Sequence, residues 1–225
     1  MPQNPPPVTK DIIASAREVL DIEARALDAL AGRLGEEFAN AVRLVLDSTG
    51  RVIVSGLGKS GHIARKIAAT MASTGTPAYF VHAAEALHGD LGMIHRDDVL
   101  IALSNSGETA ELLAVVPLVR RQGGRTIAMT GKPDSTLARL ADVHLDAGVA
   151  MEACSLNLAP TASTTCALAL GDALAVALLD ARGFREDDFA RSHPGGALGR
   201  RLLTHVRDVM RVGAAVPSVS PQTPF

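Results

Sequence analysis

Cysteine is scarce in this 225-residue sequence: Cys154 and Cys166 are the only two, and they lack CxxC spacing. No paired-thiol metal or redox motif is present, and the chain reads as one from a reducing compartment. An excess of one charge is missing too. The 22 basic and 24 acidic residues leave a formal net charge of −2 and are spread along the chain. Neither nucleic acid nor an anionic membrane is thus an expected partner. No basic stretch followed by an apolar run opens the sequence, so the expected localisation is cytoplasmic. The longest apolar tract, CALALGDALAVALLDA, is broken by Asp172 and reads as a buried helix rather than a membrane span.

What is present is material for one substantial core, with 47% hydrophobic residues and room for at most a small second module. Residues 1 to 8, MPQNPPPV, are rich in proline and are expected to be a loose arm. From Thr9, a candidate N-cap, Ile12, Ile13, Ala16, Val19, Leu20, Leu27 and Leu30 recur at helical spacing, and a second helix is expected from Glu36 to Asp47. Together they predict an N-terminal helical hairpin. Short β-rich runs follow at 51–55, 77–81, 98–103, 125–130 and 143–147, most separated by helical stretches. Their apolarity on both faces predicts an α/β fold with a doubly wound, five-stranded parallel sheet flanked by helices. A long helix is expected from Ala162 to Arg182, with shorter ones around Asp187 and from Pro194 to Leu203.

Two loops concentrate hydrogen-bonding groups where such strands end. SNSGET offers the hydroxyls of Ser104, Ser106 and Thr109, the amide of Asn105 and a glycine, Gly107, just before a helix expected near Glu108. Free helix N–H groups and hydroxyls are the chemistry of a phosphate cradle; Ser and Asn at a helix start also suit simple capping. The earlier loop, GLGKSG, matches the dinucleotide pattern GxGxxG through Gly56, Gly58 and Gly61. The acidic residue expected about 20 positions on is replaced by Val81 and His82, and a P-loop reading fails because Ile53 stands where glycine is required. What remains is a glycine loop that carries Lys59 and Ser60 to the same edge.

Four further places carry candidate chemistry. AEALHGDLGM holds Glu85, His88 and Asp90 after the second strand, too few and too generic to define a metal site, so no metal is assigned. Glu111 falls in the first turn of the helix after SNSGET, where a carboxylate also suits the dipole. Glu152 precedes the hydroxyl-rich APTAST at the start of the long helix, and His193 precedes Pro194, a favoured first helical residue. A histidine at a helix start keeps a neutral imidazole available as a base.

In this order, GLGKSG, SNSGET, EACSLNLAPTAST and SHPGGALGR resemble the sugar isomerase (SIS) domain, and most closely the arabinose-5-phosphate isomerases of the 3-deoxy-D-manno-octulosonate pathway that serves lipopolysaccharide biosynthesis. The match runs over residues 10 to 205. It implies a SIS domain over 9–205 and, in VRDVMRVGAAVPSVSPQTPF, the opening of a CBS module over 206–225. It also implies interconversion of D-ribulose 5-phosphate and D-arabinose 5-phosphate through an enediol, with no cofactor. Ser60, Ser104, Asn105, Ser106 and Thr109 would hold the phosphate. Lys59, His88, Glu111, Glu152 and His193 would form the catalytic group, His193 being favoured as base with Glu152 as its partner. The resemblance further implies a homotetramer with sites shared between subunits. An isomerase of another phosphosugar and a non-catalytic SIS sensor are the alternatives.

Overall fold

The computed structural model describes residues 9–219 and 222; the proline-rich residues 1–8, expected to be a loose arm, lie outside the described residues. The chain divides after Gly183 into two compact units. In the first, α1 (Thr9–Ala31) and α2 (Glu36–Leu46) precede β1 (Val52–Gly56), α3 (Gly58–Ser73), β2 (Ala78–His82) and α4 (Ala83–Ala86). A 3-10 turn (Asp90–Met93) leads to β3 (Val99–Ser104), α5 (Ala110–Arg121), β4 (Arg125–Thr130), α6 (Thr136–Leu140), β5 (Val143–Asp146) and α7 (Ala162–Ala181). The five expected strands are all present, each within a residue of its expected limits.

All strand pairs are parallel, in the order β2-β1-β3-β4-β5. Alternation along β3 shows how the two faces are filled. Val99, Ile101 and Leu103 join one apolar cluster, with Ile67 and Met71 of α3 and Leu170 and Leu174 of α7. Leu100 and Ala102 join the other, with Leu112, Val115 and Val119 of α5. Each such side chain, fully buried, contributes about 1.5–3 kcal/mol. The apolar tract containing Asp172 is therefore a core helix, although α7 is also long and apolar enough to cross a membrane by length and composition alone. Gly171 lets α7 press directly on Ile67, because a Cβ there would overlap that side chain. α1 and α2 both pack on α7.

At the amino edge of the sheet, buried Asp98 accepts hydrogen bonds from the backbone N–H of Arg51 (2.8 Å) and of His95 (2.7 Å). Asp142 accepts likewise from the N–H of Thr126 at 2.7 Å. These carboxylates satisfy backbone donors that the ladders leave unpaired. The opposite edge is left free for chemistry.

The second unit contains α8 (Glu186–Ser192), α9 (Ala197–Leu203), α10 (Val206–Val209) and a 3-10 turn (Gly213–Ala215). The expected helix from Pro194 begins three residues later, because Gly196 is its N-cap and the Pro194-Gly195-Gly196 segment forms a turn. Val206, Val209, Val212 and Val219 are each more than 60% exposed.

Candidate functional site

The strand order reverses between β1 and β3: β1 leads outward through α3 to β2, and β3 leads the other way through α5 to β4. Gly56 pairs with Leu103, so GLGKSG and SNSGET leave adjacent strands side by side at the switch point where such sheets bind ligands. Three of the expected hydroxyls meet there. Ser104 Oγ lies 2.7 Å from Thr109 Oγ1 and 3.4 Å from Ser106 Oγ, and it accepts the Gly107 N–H at 3.1 Å. Ser106 Oγ accepts the Glu108 N–H at 3.2 Å. The helix starts two residues later than expected, at Ala110, with Thr109 as an N-cap whose side chain makes no capping bond. Its hydroxyl turns to Ser104 instead.

This turn is braced from β4. The Gly131 N–H donates to the Asn105 carbonyl (3.0 Å), and the Leu137 N–H donates to the Gly107 carbonyl (3.0 Å). The Thr136 N–H donates to Glu108 Oε1 at 2.7 Å, and this bond holds the exposed Glu108 carboxyl below its ordinary range. Gly107 has φ 67°, and a Cβ on it would overlap the Ser135 side chain. Beside the turn is a cavity of about 40 Å³ lined by Ser60, Ser104, Asn105, Thr130, Ser163 and Thr164, with apolar neighbours.

Glu152 lies in the loop that leads into α7 and is 9% exposed. Its Oε2 accepts from the Thr161 N–H (2.7 Å), the Thr161 hydroxyl (3.0 Å) and the Ser163 N–H (3.2 Å). Burial pushes its carboxyl upward, but the hydrogen bonds from Ser163 and Thr161 outweigh that and leave it below the ordinary glutamate range.

Lys59 is exposed in the first turn of α3, one residue before Ser60. Glu111 is half-buried in the first turn of α5, and His88 is exposed after α4, its backbone N–H bonded to the Glu85 carbonyl. Among the described residues no three His, Cys, Asp or Glu side chains gather as a metal set would. His193 stands differently from expectation. It is the C-cap of α8 rather than the start of a helix, because Gly196 rather than His193 precedes α9. The dipole argument for a neutral ring falls away. What geometry fixes is the tautomer: His193 Nδ1 lies 3.1 Å from the Phe189 carbonyl, an acceptor only, so Nδ1 is a donor and the neutral form of the ring has its lone pair on Nε2. The ring stacks on Phe189 at 4.0 Å.

Residues 45–177 match the SIS domain. The chain belongs to the SIS domain family. The chain is 60% identical over 209 residues to arabinose 5-phosphate isomerase KdsD of Pseudomonas aeruginosa, a match covering 93% of this chain. Against arabinose 5-phosphate isomerase KdsD of Escherichia coli K12 the identity is 54% over 209 residues, again 93% of this chain. The chain spans 64% of the length of these curated relatives. Among solved structures, E. coli CFT073 c3406 in complex with A5P superposes with a TM-score of 0.81 at 44% identity, over 84% of this chain and 100% of that one.

Three cavity-lining hydroxyls of the SIS domain, on Thr130, Ser163 and Thr164, were not singled out from sequence. The signal for two of them is in the sequence: APTAST places Ser163 and Thr164 just inside α7, in a run that also suits helix capping. Thr130 carried no signal, because it ends an ordinary strand pattern.

Proposed function

We propose that this chain is an aldose-ketose isomerase that interconverts D-ribulose 5-phosphate and D-arabinose 5-phosphate. The observation that carries the reading is the convergence of the Ser104, Ser106 and Thr109 hydroxyls at the sheet's switch point, in a chain so similar to relatives named for this reaction. The Gly107 and Glu108 N–H groups donate to the hydroxyls of Ser104 and Ser106. A phosphate would take over those N–H groups and accept from the hydroxyls as well, helped by Ser60 and Asn105 on the cavity wall. That binding energy, far from the reacting carbons, holds C1 and C2 for proton transfer.

The chemistry removes a proton from C1 of the ketose and returns one to C2, with a matching transfer between O1 and O2. General acid and base groups suffice, each worth about 10² to 10⁴ in rate. His193 acts as base through Nε2, and Glu152 serves as an ionised hydrogen-bond acceptor for the reacting groups. Lys59 stabilises the enediolate oxygen, and His88 and Glu111 complete the polar group around the sugar. Arabinose 5-phosphate closes to a furanose, whereas ribulose 5-phosphate has its O5 blocked, so ring opening is needed in one direction only. The enzyme is cytoplasmic, serves formation of 3-deoxy-D-manno-octulosonate, and works as a homotetramer with sites shared between subunits. Residues 206–225 open a CBS module. An assay with purified protein against a panel of phosphopentoses and phosphohexoses tests the reading: turnover confined to the ribulose and arabinose 5-phosphates supports it, and turnover of a hexose phosphate alone would refute it.

A further inference from the structure

The two oxygens of Glu152 are used unequally. Oε2 takes three donors from the start of α7, whereas no backbone N–H among the described residues donates to Oε1, and the Ser163 hydroxyl also faces the carboxylate. The arrangement is locked from both ends. The Glu152 N–H donates to Asn157 Oδ1 at 2.7 Å, and the Ala153 N–H donates to the Thr161 hydroxyl at 2.7 Å. Asn157 holds this geometry with φ 53°, the one non-glycine residue at positive φ among those described. Asparagine tolerates that region better than most side chains.

Thr161 is the hinge of the lock. As N-cap of α7 its hydroxyl makes no bond to the helix it precedes. Instead the hydroxyl accepts from Ala153 and donates to Glu152, and its own N–H donates to the same carboxylate oxygen. A helix cap needs only one acceptor at this end. A carboxylate whose one oxygen is fixed by three donors has a set orientation and a set charge. It is a weak proton acceptor and a strong hydrogen-bond acceptor.

We infer that Thr161 is a positioning residue for the isomerisation: it commits Glu152 Oε2 to the start of α7 and so turns Oε1 toward the reacting groups. This inference rests on the isomerase reading and on the place of Glu152 in it. Thr161→Val keeps the shape of the side chain and removes the hydroxyl, and Thr161→Ser keeps the hydroxyl. The expected result is a fall in kcat of about tenfold or more for the valine variant, with KM little changed, and recovery to within about twofold in the serine variant. Asn157→Gly keeps the backbone conformation, frees the Glu152 N–H without touching α7, and lowers kcat in the same sense.

A second readout does not depend on turnover. The depressed Glu152 carboxyl adds stability at neutral pH that is lost as pH falls through its folded pKa. The valine variant depresses it less, so the gap in melting temperature between wild type and variant narrows on acidification. A gap constant with pH, or a valine variant as active as an active wild type, would overturn the inference and leave Thr161 a packing residue. An inactive wild type would instead sink the isomerase reading, with the melting comparison still deciding whether Thr161 holds Glu152.

Discussion

Ser104 Oγ and Thr109 Oγ1 lie 2.7 Å apart across the turn that joins β3 to α5. Four residues separate them, and only the sharp turn through Gly107 brings them together. Replacing both Ser104 and Ser106 by alanine removes two acceptors for backbone N–H groups and two donors to a bound phosphate. Substrate KM is expected to rise about tenfold or more, with circular dichroism unchanged. Unaltered KM would remove the cradle from the account.

Gly107 is held at φ 67° against Ser135. Alanine there adds a Cβ in a strained region and displaces the side chain that caps α6. A loss of about 1–3 kcal/mol is expected, with weaker phosphate binding, both measurable by thermal melts with and without inorganic phosphate.

Asp98 offers a contrast at the other edge of the sheet. It is 1% exposed and accepts from Arg51 and His95 N–H groups. Asp98→Ala leaves those donors unpaired and is expected to cost about 2–4 kcal/mol in urea unfolding. KM of the surviving folded fraction should stay at the wild-type value, since no cavity residue is touched.

Much of this was legible in advance, and the reasons differ by residue. The strands were readable because Val, Ile and Leu fill both faces of a parallel sheet, as the split of Ile101 and Leu100 between two clusters shows. The SNSGET turn was readable because its hydroxyls have no apolar role. The setting of His193 was not, since His-Pro suggested a helix start, whereas the two glycines after Pro194 delay α9 and leave His193 closing α8. Nor was the hold of Thr161 on Glu152, nine residues away, which arises only once the loop between them folds back.

Acid stability should report on Glu152. Its carboxyl is lower in the folded chain than in the unfolded one. The stability it supplies is complete above the unfolded value of about 4.3 and fades as pH falls through the folded pKa. Glu152→Gln is expected to flatten this part of the stability profile. An unchanged slope would mean that the carboxylate is not held as described.

For His193→Ala, a fall in kcat of about 10² or more is expected, with melting temperature close to wild type. A variant that melts early and loses activity only in proportion would make the stack on Phe189 the whole role of this residue.

The most direct test of the isomerase reading follows the proton. Purified protein is incubated with D-ribulose 5-phosphate in deuterium oxide and followed by proton NMR. The account predicts conversion to D-arabinose 5-phosphate with deuterium at C2, and wash-in of deuterium at C1 of the remaining ketose. Neither conversion nor exchange, from a folded protein that binds the sugar phosphate, would contradict it.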